Sequence, residues 1–287
     1  MKNVITGILF SMLWASAAVA TKYGIKTTDP LILANTRFLI AGSVILIYVH
    51  LIKRESLPKS HNWKPLSLFA FLNTTLYLGA FVVSMKTVSA GIGSLSTVIG
   101  TLFVVVIASV WLKRKLLWFE IVGVAIGLIG SFIAIWPTLK GSYASVSGLV
   151  ILFIGVLSIS VASVFYTRID WQLPAAVFNG WQILIGGLLL LPFTLYFADF
   201  DRSQFGLSFW LGLGWLMVPV SMIGLQLWFY LLKQDPVSAS LWKLLCPVFG
   251  FVYAYILLNE PLTWHTFVGT TFVIAGLVVA QIDKLKK

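Results

Sequence analysis

Residues 29–50 read DPLILANTRFLIAGSVILIYVH. After Arg37 no charge follows until Lys53, and the residues between are almost all apolar. A run of this length suits a helix crossing hydrocarbon, which needs roughly 20 apolar residues. The anomaly is Arg37, about two turns past Pro30 in a segment that otherwise belongs in lipid.

The rest of the chain has the same character. Of 287 residues, 59% are hydrophobic and only 10% charged, and mean hydropathy is +0.98. A soluble domain is about one quarter charged. This surface therefore faces lipid, and the expected class is an all-α membrane protein. Ten spans are predicted, at residues 4–23, 31–52, 66–86, 91–112, 117–136, 147–167, 175–198, 208–232, 238–258 and 264–282. Turn signals separate them: TTDP before Leu31, LPKSHNWKP before Leu66, QDP before Val237 and NEP before Leu262.

Lys2, the apolar run after it and ASAAVA resemble a secretory signal. The run is long for that, Lys22 lies two residues past the cut site, and the internal repeat needs this segment as its first helix. It is read as a span. The net charge of +11 comes from cations that flank spans, which suits topology control and not a nucleic-acid surface. With the N-terminus inside, Lys2, Lys53, Arg54, Lys59, Lys64, Lys113, Arg114, Lys115, Arg168, Lys233, Lys284, Lys286 and Lys287 lie on the inner side. Lys22, Lys26, Lys86, Lys140 and Arg202 lie on the outer side. This asymmetry predicts a multi-pass protein of the cell (inner) membrane with both termini cytoplasmic.

The halves repeat. Pro30, Asn35 and Gly42 match Pro174, Asn179 and Gly186, each 144 residues later. Phe103, Leu116, Trp118, Gly123 and Gly130 match Phe249, Leu262, Trp264, Gly269 and Gly276, each 146 later. Five spans per copy is an odd number, so the second copy enters from the opposite side. The expected fold is ten transmembrane helices as two inverted-topology five-helix repeats, residues 1–140 (helices 1–5) and 141–287 (helices 6–10). Such pairs build carriers with a site near the midplane.

MLWASAAVATK at 12–22, DPLILANTRFLIAG at 29–42 and CPVFGFVYAYILLNEPLTWHTFVGTTFVIAGLVV at 246–279 together resemble the EamA domains of the drug/metabolite transporter superfamily. The resemblance covers the whole chain as two repeats. It implies a carrier with a central cavity that moves small metabolites, commonly outward. Ala15 stands where the first motif often has glycine. Thr101 and Arg114 stand where the second repeat has Pro247 and Glu260, so the halves are not chemically equivalent.

Two cations lie inside spans. Arg37 either snorkels to the outer headgroups or faces the cavity as a gate or carboxylate contact. Lys243 sits on the inner part of span 9, and its repeat partner is Thr97, so the fold does not demand a cation there. It either snorkels inward or meets an anionic group, with Trp242 beside it. No Asp or Glu lies well inside a span, although intramembrane carboxylates commonly mark proton coupling. Cations without carboxylates favour anions or zwitterions over organic cations. Glu260 is read as a charge at the start of helix 10.

Asn35 and Asn179 are repeat mates in helices 2 and 7. Asn73 and Tyr77 in helix 3, and Gln226 and Tyr230 in helix 8, make i, i+4 pairs that either line a cavity or bond between helices. Trp14 and Trp181 are candidate cavity walls. Trp63, Trp118, Trp136, Trp171 and Trp264 are read as an interfacial belt. Gly123, Gly127, Gly130, Gly269 and Gly276 are read as packing positions.

Chemistry is sparse. The single Cys246 excludes an intramolecular disulfide, three histidines lack metal-like spacing, and no catalytic or ATP-binding motif is present. No cofactor is expected. The expected partners are a small-molecule substrate and the lipid bilayer, not nucleic acid, with monomer and homodimer both open. The reading is a secondary-active exporter of small zwitterionic or anionic metabolites such as amino acids. An organic-cation exporter, a channel and an intramembrane enzyme are the alternatives.

Overall fold

The computed structural model describes residues 2–88, 90–141, 145–258 and 263–280. Among these residues all regular structure is helical. The helices are α1 (Lys2–Gly24), α2 (Pro30–Ile52), α3 (Ser60–Ser84), α4 (Ala90–Trp111), α5 (Trp118–Gly141), α6 (Val146–Arg168), α7 (Ala175–Phe197), α8 (Leu207–Leu232), α9 (Pro236–Leu257) and α10 (Trp264–Ala280). Among the described residues, α1, α2, α3, α6, α7, α8 and α9 are long and apolar enough to cross a membrane. Ser96–Trp111, Trp118–Ala134 and Trp264–Ala280 are shorter apolar helices. Glu260 and the cations at 284, 286 and 287 lie outside the described residues.

Side chains cap the helices that follow turns. Asp29 accepts from the Leu31 amide, Ser145 from Gly148 and Asp235 from Ser238. Each satisfies a backbone donor that the first turn cannot. Prolines explain two interruptions. Pro219 has no N–H to give the fourth residue before it, and α8 widens there into a π-helix over Leu216–Gly224. Pro247 cannot donate to the Lys243 carbonyl. The Cys246 amide takes that carbonyl instead, and α9 tightens into a 3-10 turn over Trp242–Leu245.

Contacts between loops sort them onto two sides. On the N-terminal side Asn3 bonds Gln234, Lys59 bonds Gln172, and Arg114 reaches Asp235. On the far side Thr28 donates to the Gln204 carbonyl, Ser203 Oγ accepts from the Asp29 amide, and the Ser145 amide reaches Thr87. The main packing pairs are α2 with α7, α5 with α10, α4 with α9, α1 with both α8 and α9, α6 with both α3 and α4, α3 with α7, and α2 with α8. This set is unchanged when each helix is exchanged with the one five places away.

The α5–α10 pair packs backbone on backbone. A Cβ on Gly276 would lie 2.5 Å from the Gly123 carbonyl oxygen, and one on Gly130 would lie 2.6 Å from that of Gly269. No rotamer change relieves a clash with backbone. Gly276→Val is therefore expected to lower stability in detergent by at least the usual overpacking loss, about 1–3 kcal/mol. Thermal unfolding checks this, and an unchanged melting point would mean the helices separate without loss.

Candidate functional site

The far-side halves of α1 to α4 border a narrow, part-open cavity of ≈ 20 Å³, with Val220 and Cys246 also in its lining. Its chemically distinctive lining is Trp14, Arg37, Tyr77, Thr97 and Cys246. Among the described residues no carboxylate lines it. Helices that pack this way must point small residues at one another, and Ala15, Ala17 and Ala18 supply that face of α1.

Arg37 is 2% exposed. Its Nε donates to Ser221 Oγ at 2.7 Å, and its guanidinium lies 5.4 Å from the Phe38 ring centroid. Its Nη2 is buried with no hydrogen-bond partner. Among the described residues no acidic group pairs with it. A buried donor of this kind is expensive to leave unmet, and more so when charged.

Aromatic rings close the cavity toward the N-terminal side. Tyr77 stacks on Trp14 with centroids 6.3 Å apart. Trp14 meets Phe10 at 5.4 Å, and Phe10 stacks on Trp228 at 5.0 Å. Lys243 lies at the end of this column, its Nζ 4.2 Å from the Trp228 ring centroid. The structure thus brings Trp14, Arg37 and Tyr77 together at one cavity; Lys243 does not line it and lies on the Trp228 ring.

The remaining candidates lie elsewhere. Asn35 donates to the Gly187 carbonyl, Asn73 to Gln182 Oε1 and Asn179 to the Ser221 carbonyl. Gln226 donates to the Ala175 carbonyl and Tyr230 to Asn3 at the N-terminal surface. Trp242 packs its indole where a Cβ on Gly7 would lie, 2.1 Å away. Trp181 is not at the cavity. It donates to His50 and meets Trp63 edge-on. Trp171 is not an interfacial residue either: it is 5% exposed, donates to the Tyr166 carbonyl and packs on Phe178. Its position between two short-linked helices turns the ring inward.

Sequence reading did not single out three groups. Gln182 and Ser221 join Arg37 in a buried polar chain. Asn73 and Thr74 both donate to Gln182 Oε1, Gln182 donates to Asn179 Oδ1, Asn179 reaches the Ser221 backbone, and Ser221 accepts from Arg37. The third is Glu120, 3% exposed, gripped by both Nη atoms of Arg114 at 2.7 Å. This pair holds the Arg114 guanidinium above its ordinary pKa, with the hydrogen bond to Glu120 as the largest cause.

Cys246 gives a direct probe, being the chain's single cysteine and part of the cavity wall. A ligand seated by Arg37 is expected to slow its alkylation by a maleimide. The rate with and without ligand is the measurement, and equal rates would put the ligand elsewhere.

The EamA-like transporter family matches residues 1–136 and again residues 146–281. The chain is 26% identical to an "Uncharacterized transporter" of Archaeoglobus fulgidus, covering 97% of this chain and 98% of that one. It is 24% identical to a Salmonella typhimurium protein named "Probable amino-acid metabolite efflux pump", covering 97% and 94%. It is 25% identical to an "Uncharacterized inner membrane transporter" of Escherichia coli, covering 97% and 90%. A solved crystal structure matches with a TM-score of 0.79 at 18% identity, covering 100% of this chain and 99% of that one; at that identity the likeness speaks for the fold alone.

Proposed function

This chain belongs to the EamA-like transporter family, and we propose that it is a secondary carrier exporting small zwitterionic or anionic metabolites, amino acids among them, by alternating access. Residues 1–140 and 141–287 are its two inverted five-helix repeats, ten membrane helices in all. The packing set that survives exchange of each helix with the one five places on supports this arrangement. The cation asymmetry between the two loop sides supports cytoplasmic termini.

One observation carries the substrate class: Arg37, buried at the cavity, has an unpartnered Nη2 and, among the described residues, no acidic neighbour. A carboxylate of the substrate supplies the missing acceptor through a charge-assisted bond, the type guanidinium geometry favours. Trp14, Tyr77 and Phe81 then flank the rest of the molecule. The Salmonella relative's name, an amino-acid metabolite efflux pump, points the same way. No ATPase motif is present, which leaves a substrate or ion gradient, or a partner protein, to drive transport.

The test is thermal stability of purified protein against amino acids, simple carboxylates, nucleosides and organic cations. A ligand at 100 times its dissociation constant adds about 2.7 kcal/mol. Stabilisation by carboxylate-bearing compounds, followed by their saturable counterflow in proteoliposomes, supports the reading. Stabilisation by organic cations alone would reverse it.

A further inference from the structure

Lys243 is 2% exposed, lies on the Trp228 ring and is not among the residues lining the far-side cavity. Its repeat mate is. The 146-residue offset that relates Phe103 to Phe249 and Gly123 to Gly269 relates Thr97 to Lys243. Thr97 lines the cavity beside Arg37. The same offset relates Gly93, also on the cavity wall, to Ala239, one turn before Lys243. When two inverted halves exchange conformations, each wall position of one vestibule is taken by its mate in the other. The mates of Gly93 and Thr97 then wall a vestibule on the N-terminal side, and a lysine replaces the threonine.

That side is shut here by named contacts. Arg114, in the link after α4, grips Glu120 with both Nη atoms and places Nε 3.1 Å from Asp235 Oδ1. Asp235 also caps α9 by accepting from the Ser238 amide at 2.8 Å. One carboxylate therefore ties the α4–α5 link of the first half to the start of the helix carrying Lys243, two turns on. Below this tie, Ser11 donates to the Trp242 carbonyl and Thr101 to the Ser240 carbonyl. These hold α1 and α4 against α9.

We propose that Lys243 is the anion contact of a second vestibule on the N-terminal side, and that the Arg114–Asp235 bridge holds that vestibule closed. This rests on the carrier reading. It adds an unequal pair of stations: a guanidinium facing one side and an ammonium facing the other. A carboxylate is handed from a compact point charge to a fork-shaped donor as it crosses, so the two sides differ in how they hold it.

Thiol labelling tests the proposal without a known substrate. In a Cys246→Ser background, Ala239→Cys places a thiol one turn from Lys243. With Arg114 intact it is expected to resist methanethiosulfonate-ethylsulfonate from either side. Arg114→Ala, or Asp235→Asn, which keeps a capping oxygen, should raise the rate about tenfold, a modest population shift, and from the N-terminal side only. The anionic reagent should then outpace its trimethylammonium counterpart, and Lys243→Met should erase that preference. A thiol that stays unreactive in both folded release variants, or a charge preference indifferent to Lys243→Met, overturns the proposal. If labelling follows this pattern while no carboxylate binds or is carried, the substrate reading fails and the gated vestibule stands.

Discussion

Replacing Arg37 with methionine should abolish ligand binding while leaving the empty protein at least as stable as before. The two effects have separate causes. In the empty protein Arg37 is 2% exposed, bonds Ser221 and leaves Nη2 unmet. Swapping buried ionic groups for apolar ones of similar volume is often neutral or stabilising, by about 1–4 kcal/mol. Methionine follows a similar path into the space and adapts to an irregular gap. The bound state loses more. Truncating one partner of a buried charged pair typically costs about 2–5 kcal/mol, which is roughly 30-fold or more in affinity. Arg37→Lys keeps the charge without the fork, so it should recover part of the binding. Melting curves with and without a stabilising carboxylate read both effects. If Arg37→Met retains the ligand shift, the substrate is held elsewhere. If it melts far below wild type when empty, the arginine is there to hold α2 against α8.

How much of this was legible beforehand depends on the distance over which a signal is written. Composition and the length of apolar runs give the all-helical membrane class and, among the described residues, the seven helices long enough to cross, because both are properties of short windows. Arg37 stood out for the same reason: a charge is conspicuous in the run from Leu31 to Ile52. The rotation of each helix about its axis was not legible. Lipid and protein interior are both apolar, so a helix here carries no strong polar stripe to show which face turns inward. Gln226 and Tyr230 share the spacing of Asn73 and Tyr77, yet Tyr77 lines the cavity and Tyr230 reaches Asn3 at the surface. Glu120 looks like any first-turn carboxylate, and only folding sets Arg114 between it and Asp235. Pro247 was noted as a departure between repeats. Its consequence, the 3-10 turn that carries Lys243, follows from the missing N–H.

The polar chain behind Arg37 leads to the opposite experiment, one that breaks the fold. Gln182 is fully buried and serves three partners: Asn73 Nδ2 at 3.1 Å, Thr74 Oγ1 at 2.6 Å and Asn179 Oδ1 at 3.1 Å. These residues lie on α3 and α7, more than a hundred positions apart. Gln182→Leu removes no volume to speak of and leaves two donors and one acceptor unmet. No water is available at this depth to replace the lost partner. Interhelical hydrogen bonds in membranes average about 0.6 kcal/mol and reach about 1.7. Two of the three bonds cross from α3 to α7, which places the expected loss from them at roughly 1–3 kcal/mol. Asn179 also orients the Ser221 backbone, and Ser221 holds Nε of Arg37. Ligand affinity should fall along with stability, although Gln182 does not line the cavity. The pairing of effects separates the two variants: Arg37→Met loses binding without losing the fold, and Gln182→Leu loses both. A Gln182→Leu protein that melts like wild type would mean that Asn73, Thr74 and Asn179 find other partners. The chain from α3 to Arg37 would then carry no positioning role.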